Sequence, residues 1–401
     1  MAPDGWREIS MGKLVERVAN PVDVTPDITY QEIGIRSHGK GLFDKEPVLG
    51  RALGNKRVFW VEPNCFVVNI VFAWEQAVGR TTNRDKGKIA SHRFPMYRPK
   101  LGQSDVDFLA YLFKTPYGKH LLALASPGGA GRNKTLGQSE FLKISVRVPH
   151  LNEQRRIAEI LSTWDSAIEV VEKLISNSRL QKWGLMQQLL TGKKRISGFN
   201  GEWKLVPIRQ MGKVIGGGTP DSDNAEYWNG DILWATPTDI TCLNSRYICD
   251  TARKISKEGL AQSAAKLLPI GAILVCTRAT IGELAIAAAP ISTNQGFKSV
   301  IPNKDHDSDF LFYLLQFNKH VLVRYASGST FAEISKHDFE KRSFYIPGLD
   351  EQRAIAATLA NCDDQPPALV RQSQILRSVK RALMQQLLTG KRRVKIEEKA
   401  A

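Results

Sequence analysis

The feature that most constrains this chain is an internal duplication. Glu153-Gln154-Arg155 recurs as Glu351-Gln352-Arg353, an offset of 198 residues (153 to 351), and the octapeptide LMQQLLTG at Leu185 to Gly192 recurs unchanged at Leu383 to Gly390. Lys193, Lys194 and Arg195 match Lys391, Arg392 and Arg393 at the same offset. An offset that holds at both ends leaves no insertion between them, so the segments 149–196 and 347–394 are copies. Trp6 with Met11-Gly12-Lys13, against Trp203 with Met211-Gly212-Lys213, carries the duplication into the segments that precede. A period near 200 residues is far longer than the ~20–50 of stacked solenoid units. The order is therefore globular, helix, globular, helix: a globular segment 1–150, a helical spacer 151–198, a second globular segment 199–348, and a second helical spacer with a basic tail, 349–401.

Both copies carry a helical stripe. Ile157, Leu161, Trp164, Ile168, Val171 and Ile175 step by four and three, Ser178 and Lys182 interrupt, and Leu185 and Leu189 resume. That is the narrow a/d seam of a coiled coil, which suits a partner helix better than a broad core. A helix over 152–190 would be about 57 Å long at ~1.5 Å per residue, with Gly192 as its C-terminal cap. The second copy repeats the stripe at Ile355, Leu359, Cys362, Leu369, Leu376, Leu383 and Leu387, but Pro366-Pro367 interrupts it. Proline inside a helix costs about 3 kcal/mol, so the second helix is expected to kink or break there while the first runs through. Left alone, either helix would expose its seam. The two are therefore expected to pair, with Ile157, Leu161, Trp164, Ile168, Leu185, Leu189, Ile355, Leu359, Leu383 and Leu387 as the contact residues. The alternative is that each stripe packs on its own globular segment.

Charge and cysteine usage narrow the function classes. The formal net charge is +16, of which residues 1–150 carry +8 and residues 199–348 only +1. An excess of this size points to a polyanionic partner. Five cysteines (Cys65, Cys242, Cys249, Cys276 and Cys362) form no CxxC pair, which fits reduced thiols in the cytoplasm and no metal site. No run of eighteen apolar residues occurs, so neither a membrane span nor a secretory signal is expected.

Both globular segments mix short β-branched runs, Phe66 to Phe72 and Ile273 to Cys276, with helical stretches over 105–115 and 308–324, an α+β composition. In the first, residues 80–100 set seven basic residues (Arg80, Arg84, Lys86, Lys88, Arg93, Arg98 and Lys100) against Asp85 alone, with Phe94 and Tyr97 interleaved. Lysine and arginine neutralise phosphates, and arginine also pairs with guanine. A solvated loop with no partner is the plainer reading. In the second, Gly216-Gly217-Gly218-Thr219-Pro220 lacks both the GxxxxGK[ST] pattern and a dinucleotide fingerprint, so nucleotide binding is rejected.

The runs GGTP, Tyr227-Trp228-Asn229-Gly230-Asp231-Ile232-Leu233-Trp234 and Thr236-Pro237-Thr238-Asp239-Ile240 resemble the opening of a target-recognition domain of type I restriction-modification specificity subunits. So do Thr277 to Gly282, Thr293-Asn294-Gln295-Gly296, the Ser327-Gly328-Ser329 loop and the LMQQLLTGK ending. In the first globular segment the resemblance rests on position in the duplication, and that segment looks like a different type of recognition domain. The resemblance implies an α+β fold with two target-recognition domains set apart by two long antiparallel coiled-coil helices and an internal pseudo-twofold repeat. It implies double-stranded DNA read as two half-sites, a helical ruler between them, and two docked methyltransferase subunits that use S-adenosylmethionine. Motor and nuclease subunits using ATP and Mg²⁺ would complete a restriction complex, and no cofactor would sit on this chain. Arg278 and Thr280 are then the foremost contact candidates of the second domain, followed by Asn294 and Gln295, with Thr219 and Thr236 in the matched motifs. Asn294-Gln295-Gly296 could equally cap a turn.

No [DNS]PP[YFW], Walker A, HExxH, GxSxG or nuclease PD…(D/E)xK set is found, so no catalytic residues are assigned. A self-contained DNA methyltransferase or nuclease with an unrecognised site is the enzymatic alternative, and a DNA-binding repressor is a third.

Overall fold

The computed structural model describes residues 5–128, 134–326, 332–363 and 365–395. The Ser327-Gly328-Ser329 loop therefore lies outside the described residues. The chain forms two compact units, residues 1–170 with 373–401, and residues 171–372. Each unit thus holds one globular segment and takes helix from both copies of the repeat.

The first unit is built on a four-stranded antiparallel sheet in the order Val15–Val18, Met96–Pro99, Phe66–Val68, Val78–Arg80. The second has the same frame: Gly212–Gly216, Lys298–Pro302, Ile273–Val275, Leu284–Ala287, with Tyr247–Ile248 added in parallel at the edge. In both, a short ladder joins the start of the globular segment to its end: Arg7–Ser10 with Ser145–Val148, and Lys204–Pro207 with Ser343–Ile346. In both, a buried helix follows the frame's last strand, Val106–Leu112 in one and Ser308–Phe317 in the other, N-capped by Asp105 and Asp307.

The segments differ in what is inserted between frame strands. In the first unit, residues 19–65 form two small hairpin ladders and the strand Val58–Trp60, which pairs antiparallel with Ile89–Ser91. In the second, residues 217–272 contain Trp228–Ala235, which pairs antiparallel with Arg253–Ile255 and parallel with Ile291–Thr293. The expectation of a different domain type in the first segment is thus corrected in part: the frame is shared, and the inserts differ.

The first repeat helix runs unbroken over Leu151–Leu189. The second copy is two helices, Leu349–Asp363 and Gln365–Leu387, on either side of residue 364, which is outside the described residues. Pro366 and Pro367 fall in the first turn of the later helix, where a missing N–H leaves no hydrogen bond unmade. Gly192 (φ 68°) and Gly390 (φ 70°) end both copies in the left-handed region, as a helix-capping glycine does.

In the first unit Glu153 meets Arg393, and further along Asp165 meets Lys380, so the two helical strands run antiparallel. The second unit repeats this with Glu351 to Arg195 and Asp363 to Lys182. Ile157 and Leu161 share a core with Leu387 and with Phe108, Phe113 and Phe141 of the first globular segment, and Leu383 packs at its margin. Ile355, Leu359 and Leu189 share the second unit's core with Phe310 and Phe339, with Leu185 at its margin. Pairing between helices and packing on the globular segment are therefore not alternatives, because the ends of the seam do both. Trp164 and Ile168 are half-buried.

Candidate nucleic-acid interface

The EQR motif explains why helix and globular segment form one body. Gln154 accepts from the Asp105 backbone N–H at 3.0 Å and donates to the Pro149 carbonyl at 2.9 Å. Gln352 makes the same pair of bonds, to Asp307 and Pro347, at the same distances. Glu153 is buried and takes both ends of the Arg393 guanidinium at 2.7 Å, while Arg195 grips Glu351 at 2.6 Å. Bidentate pairs of this kind fix geometry as well as charge. The arginines and glutamates of the two copies are exchanged: each glutamate is held by the other copy's arginine.

A second network repeats beside it. Tyr111 donates to Asp165 at 2.7 Å and Tyr313 to Asp363 at 2.5 Å, while Lys380 and Lys182 complete the two carboxylates. Burial, reinforced by the carboxylate each one serves, pushes both phenols up, so both stay protonated donors. Arg80 is tied to Asp107 as Arg246 is tied to Asp309. Arg80, expected as a DNA contact, is thus half-buried and committed within the fold.

The other basic candidates of the first unit separate into two groups. Arg84, Lys86 and Arg93 are exposed on the connection 81–95 between frame strands. Lys88 on the same connection is mostly buried and salt-bridged to Asp44 and Asp85. Asp85 also closes a capping box on Thr82. Its carboxyl sits below the usual range: desolvation opposes ionisation, but the Thr82 and Lys88 hydrogen bonds outweigh it. Phe94 and Tyr97 are buried core, so they offer no stacking surface.

In the second unit the expected residues gather around one set of loops. Gly217 passes so near Thr293-Asn294 that a Cβ would lie 1.9 Å from the Asn294 carbonyl oxygen, and at Gly218 it would lie 2.3 Å from the Ala265 nitrogen. The triple glycine is thus a close-packing device. Thr219 is exposed and donates to Gln295, also exposed. Thr236 is spent on a capping box, its hydroxyl donating to Asp239 at 2.6 Å. Asn294 accepts from the Gly296 N–H at 2.9 Å, the turn-capping role. Arg278 is clasped by Glu333, which also holds Lys298. Burial alone would raise the Glu333 carboxyl, but these two cations hold it low. Thr280 places its Oγ1 in the interior with no hydrogen-bond partner among the described residues. Asn294 and Gln295 lie on the connection 288–297, the counterpart in the frame of the 81–95 connection that carries Arg84, Lys86 and Arg93.

Sequence reasoning missed Arg253. Its guanidinium carbon lies 3.7 Å from the Trp228 ring centroid and 5.2 Å from that of Trp234. A lone arginine between unremarkable neighbours gives no signal, and only the strand pairing brings it to the tryptophans.

Along the helices, Leu174, Leu180 and Trp183 in the second unit and Ile375 in the first are exposed apolar side chains. A groove of about 420 Å³ in the second unit is lined by Ser178, Gln181, Gly184, Leu185, Gln188 and Cys362. All five cysteines are free. Among the described residues no cluster of His, Cys, Asp and Glu could hold a metal ion, and no helix is long and apolar enough to cross a membrane.

The type I restriction modification DNA specificity domain matches residues 47–177 and again 200–375. The type I restriction enzyme MjaIX specificity subunit of Methanocaldococcus jannaschii is 34% identical over 180 residues, 44% of this chain and 42% of the relative. The putative MjaX specificity subunit of the same organism is 25% identical over 313 residues, 75% and 71% of the two chains. The chain thus spans under half the length of the first of these relatives and about seven-tenths of the second. The type I restriction-modification S subunit of M. genitalium aligns over 96% of this chain and 99% of its own with a TM-score of 0.59 at 14% identity, a likeness of fold alone. With both globular segments and much of both helical copies matched, the chain belongs to the type I restriction modification DNA specificity family.

Proposed function

We propose that this chain is the DNA-reading subunit of a type I restriction-modification assembly. Each unit contacts one half of a bipartite duplex site, and the paired helices set the spacing and carry two methyltransferase subunits. The observation that carries this reading is the shared frame with unlike inserts. Two copies of one scaffold, joined to the repeat helices by the same glutamine and tyrosine hydrogen bonds, present different chemistry from topologically equivalent connections. One is cationic (Arg84, Lys86, Arg93) and the other amide-bearing (Asn294, Gln295). Phosphate contacts position and base-edge contacts specify, and both kinds of group are present. The exposed apolar side chains on the helices suit a protein partner.

The chain itself supplies recognition and no chemistry. S-adenosylmethionine, and ATP with Mg²⁺ where motor and nuclease subunits join, belong to the partners, and the assembly works in the cytoplasm. Selection from random duplex DNA, with this chain co-expressed with its methyltransferase subunit and methylation as the readout, tests the proposal. Two short, different half-sites with a fixed gap are expected, and exchanging residues 1–150 should change one half only. One continuous site, no preference, or turnover by the purified chain alone would overturn it.

A further inference from the structure

Among the polar groups of the second unit's recognition loops, most are already committed inside the fold: Thr236 to Asp239, Arg278 to Glu333, Asn294 to the Gly296 N–H. Arg253 is different. It is exposed, and it has no carboxylate partner among the described residues. Its position is nonetheless over-determined. It sits opposite Trp234 in the strand pairing. Thr251 Oγ1 accepts from the Trp234 N–H at 3.2 Å and donates to the Arg253 carbonyl at 2.6 Å. The neighbouring Ala252 N–H donates to Asp239 at 2.9 Å, which ties this strand to the helix capped by Thr236.

The rings beneath it are pinned as well. Trp228 Nε1 donates to the Asp221 carbonyl at 3.0 Å and Trp234 Nε1 to the Gly218 carbonyl at 2.9 Å. The two rings meet edge to face, 5.0 Å apart at 83°. Both anchors belong to the loop that begins at the triple glycine, so the guanidinium and the Thr219–Gln295 pair project from one loop cluster. Beside it, Asn229 is held in the left-handed region (φ 60°) at a bulge of the strand.

We propose that Arg253 is a specificity-determining residue that reads the major-groove edge of a guanine. This rests on the DNA-reading function above. A phosphate contact needs only a positive charge, and a flexible lysine would serve. A guanidinium centred 3.7 Å from the ring of a hydrogen-bonded tryptophan is a planar donor fork localised over a fixed surface. That is what bidentate pairing with guanine O6 and N7 requires. Stacking also keeps the cation from wandering to nearby acids.

The test uses the full chain assembled with its methyltransferase subunits. Wild type, Arg253→Lys and Arg253→Ala are compared by methylation of a random duplex library and by binding across a salt series, with a melting curve as the folding control. Arg253→Lys is expected to relax discrimination at one G·C position by about ten- to hundredfold, leaving the salt dependence and the other half-site unchanged. Retained base preference in Arg253→Lys would overturn the proposal. So would a uniform weakening in Arg253→Ala with a salt slope smaller by about one unit, the mark of a phosphate contact, or no change in either variant. A wild-type complex without sequence preference would instead sink the DNA-reading function itself.

Discussion

Arg393→Met should loosen the first unit at the start of its long helix, and the size of the effect follows from burial. Glu153 has a side chain only 1% exposed and is held from both ends by Arg393, whose own side chain is 45% exposed. Removing one partner of a buried pair costs about 3–5 kcal/mol because a charge is stranded. Solvent reaches the arginine side, which lowers the expectation to about 2–3 kcal/mol. At 1.4 kcal/mol per tenfold, local opening should rise about 30- to 150-fold. Glu153→Gln should cost less, since the charge it leaves unpaired, on Arg393, is reached by solvent, and the double variant should recover part of the loss. Amide hydrogen exchange over residues 151–161 reads the opening directly and needs no two-state global transition, which a two-unit chain does not guarantee. If the double variant opens by the sum of the two single effects, the pair is not coupled and the reasoning fails. The counterpart change, Arg195→Met, should leave exchange at 151–161 unaltered and raise it near Glu351.

Leu161→Ala should destabilise the first unit by about 2–5 kcal/mol, since Leu161 is fully buried with Phe108 and Phe141 nearby in one core, and thermal unfolding of the full chain would show it. Combining Arg84→Ala with Lys86→Ala should weaken DNA binding across all sequences and reduce the salt slope by about two units; an unaltered slope would mean those side chains meet no phosphate. Gly217→Ala should disturb the Thr293–Gly296 turn, because its Cβ would collide with main chain, and exchange protection at the Gly218 N–H, which bonds to the Thr293 carbonyl at 2.9 Å, would report it. The Glu333 carboxyl is held below its free value, so the stability it lends is present above the unfolded pKa and lost as pH falls through the folded one. A stability difference between wild type and Glu333→Gln that is present at pH 6 and vanishes in acid is therefore expected.

The helices were legible because a 198-residue repeat and a 3.5-residue seam are properties of sequence alone, and the expected 152–190 lies within a residue of Leu151–Leu189. What the seam could not reveal is where its ends would be buried, since an a/d leucine looks the same against a helix or a sheet. Glu153 and Arg393 were visible as motif letters, but their contact joins residues 240 apart in sequence, and no periodicity encodes that. The loop residues were least legible. Thr236 and Asn294 carry hydrogen-bonding groups that a recognition loop and a helix cap or turn use alike, and here local capping claims both. Density of charge also gave no view of the partners of Arg80 and Lys88, each of which meets an acid from a remote segment, Asp107 or Asp44.

The shared frame gives that pattern of success and failure a physical meaning. Gln154 and Gln352, which join frame to helix, and Glu153 and Glu351, which join the two repeat copies, make the same bonds in both copies. A change at either glutamate would have to be matched at the arginine of the other copy, which restricts what it can become. The inserts 19–65 and 217–272 are under no such requirement, because their ends leave and rejoin the sheet at equivalent strands whatever lies between. One insert pairs its neighbouring strand antiparallel and the other parallel, without altering the order of the four strands beneath. A scaffold of this kind can therefore change what it presents on one unit while leaving the helix pairing untouched. That separability is what a protein needs if its two recognition surfaces are to vary independently while the spacing between them stays fixed.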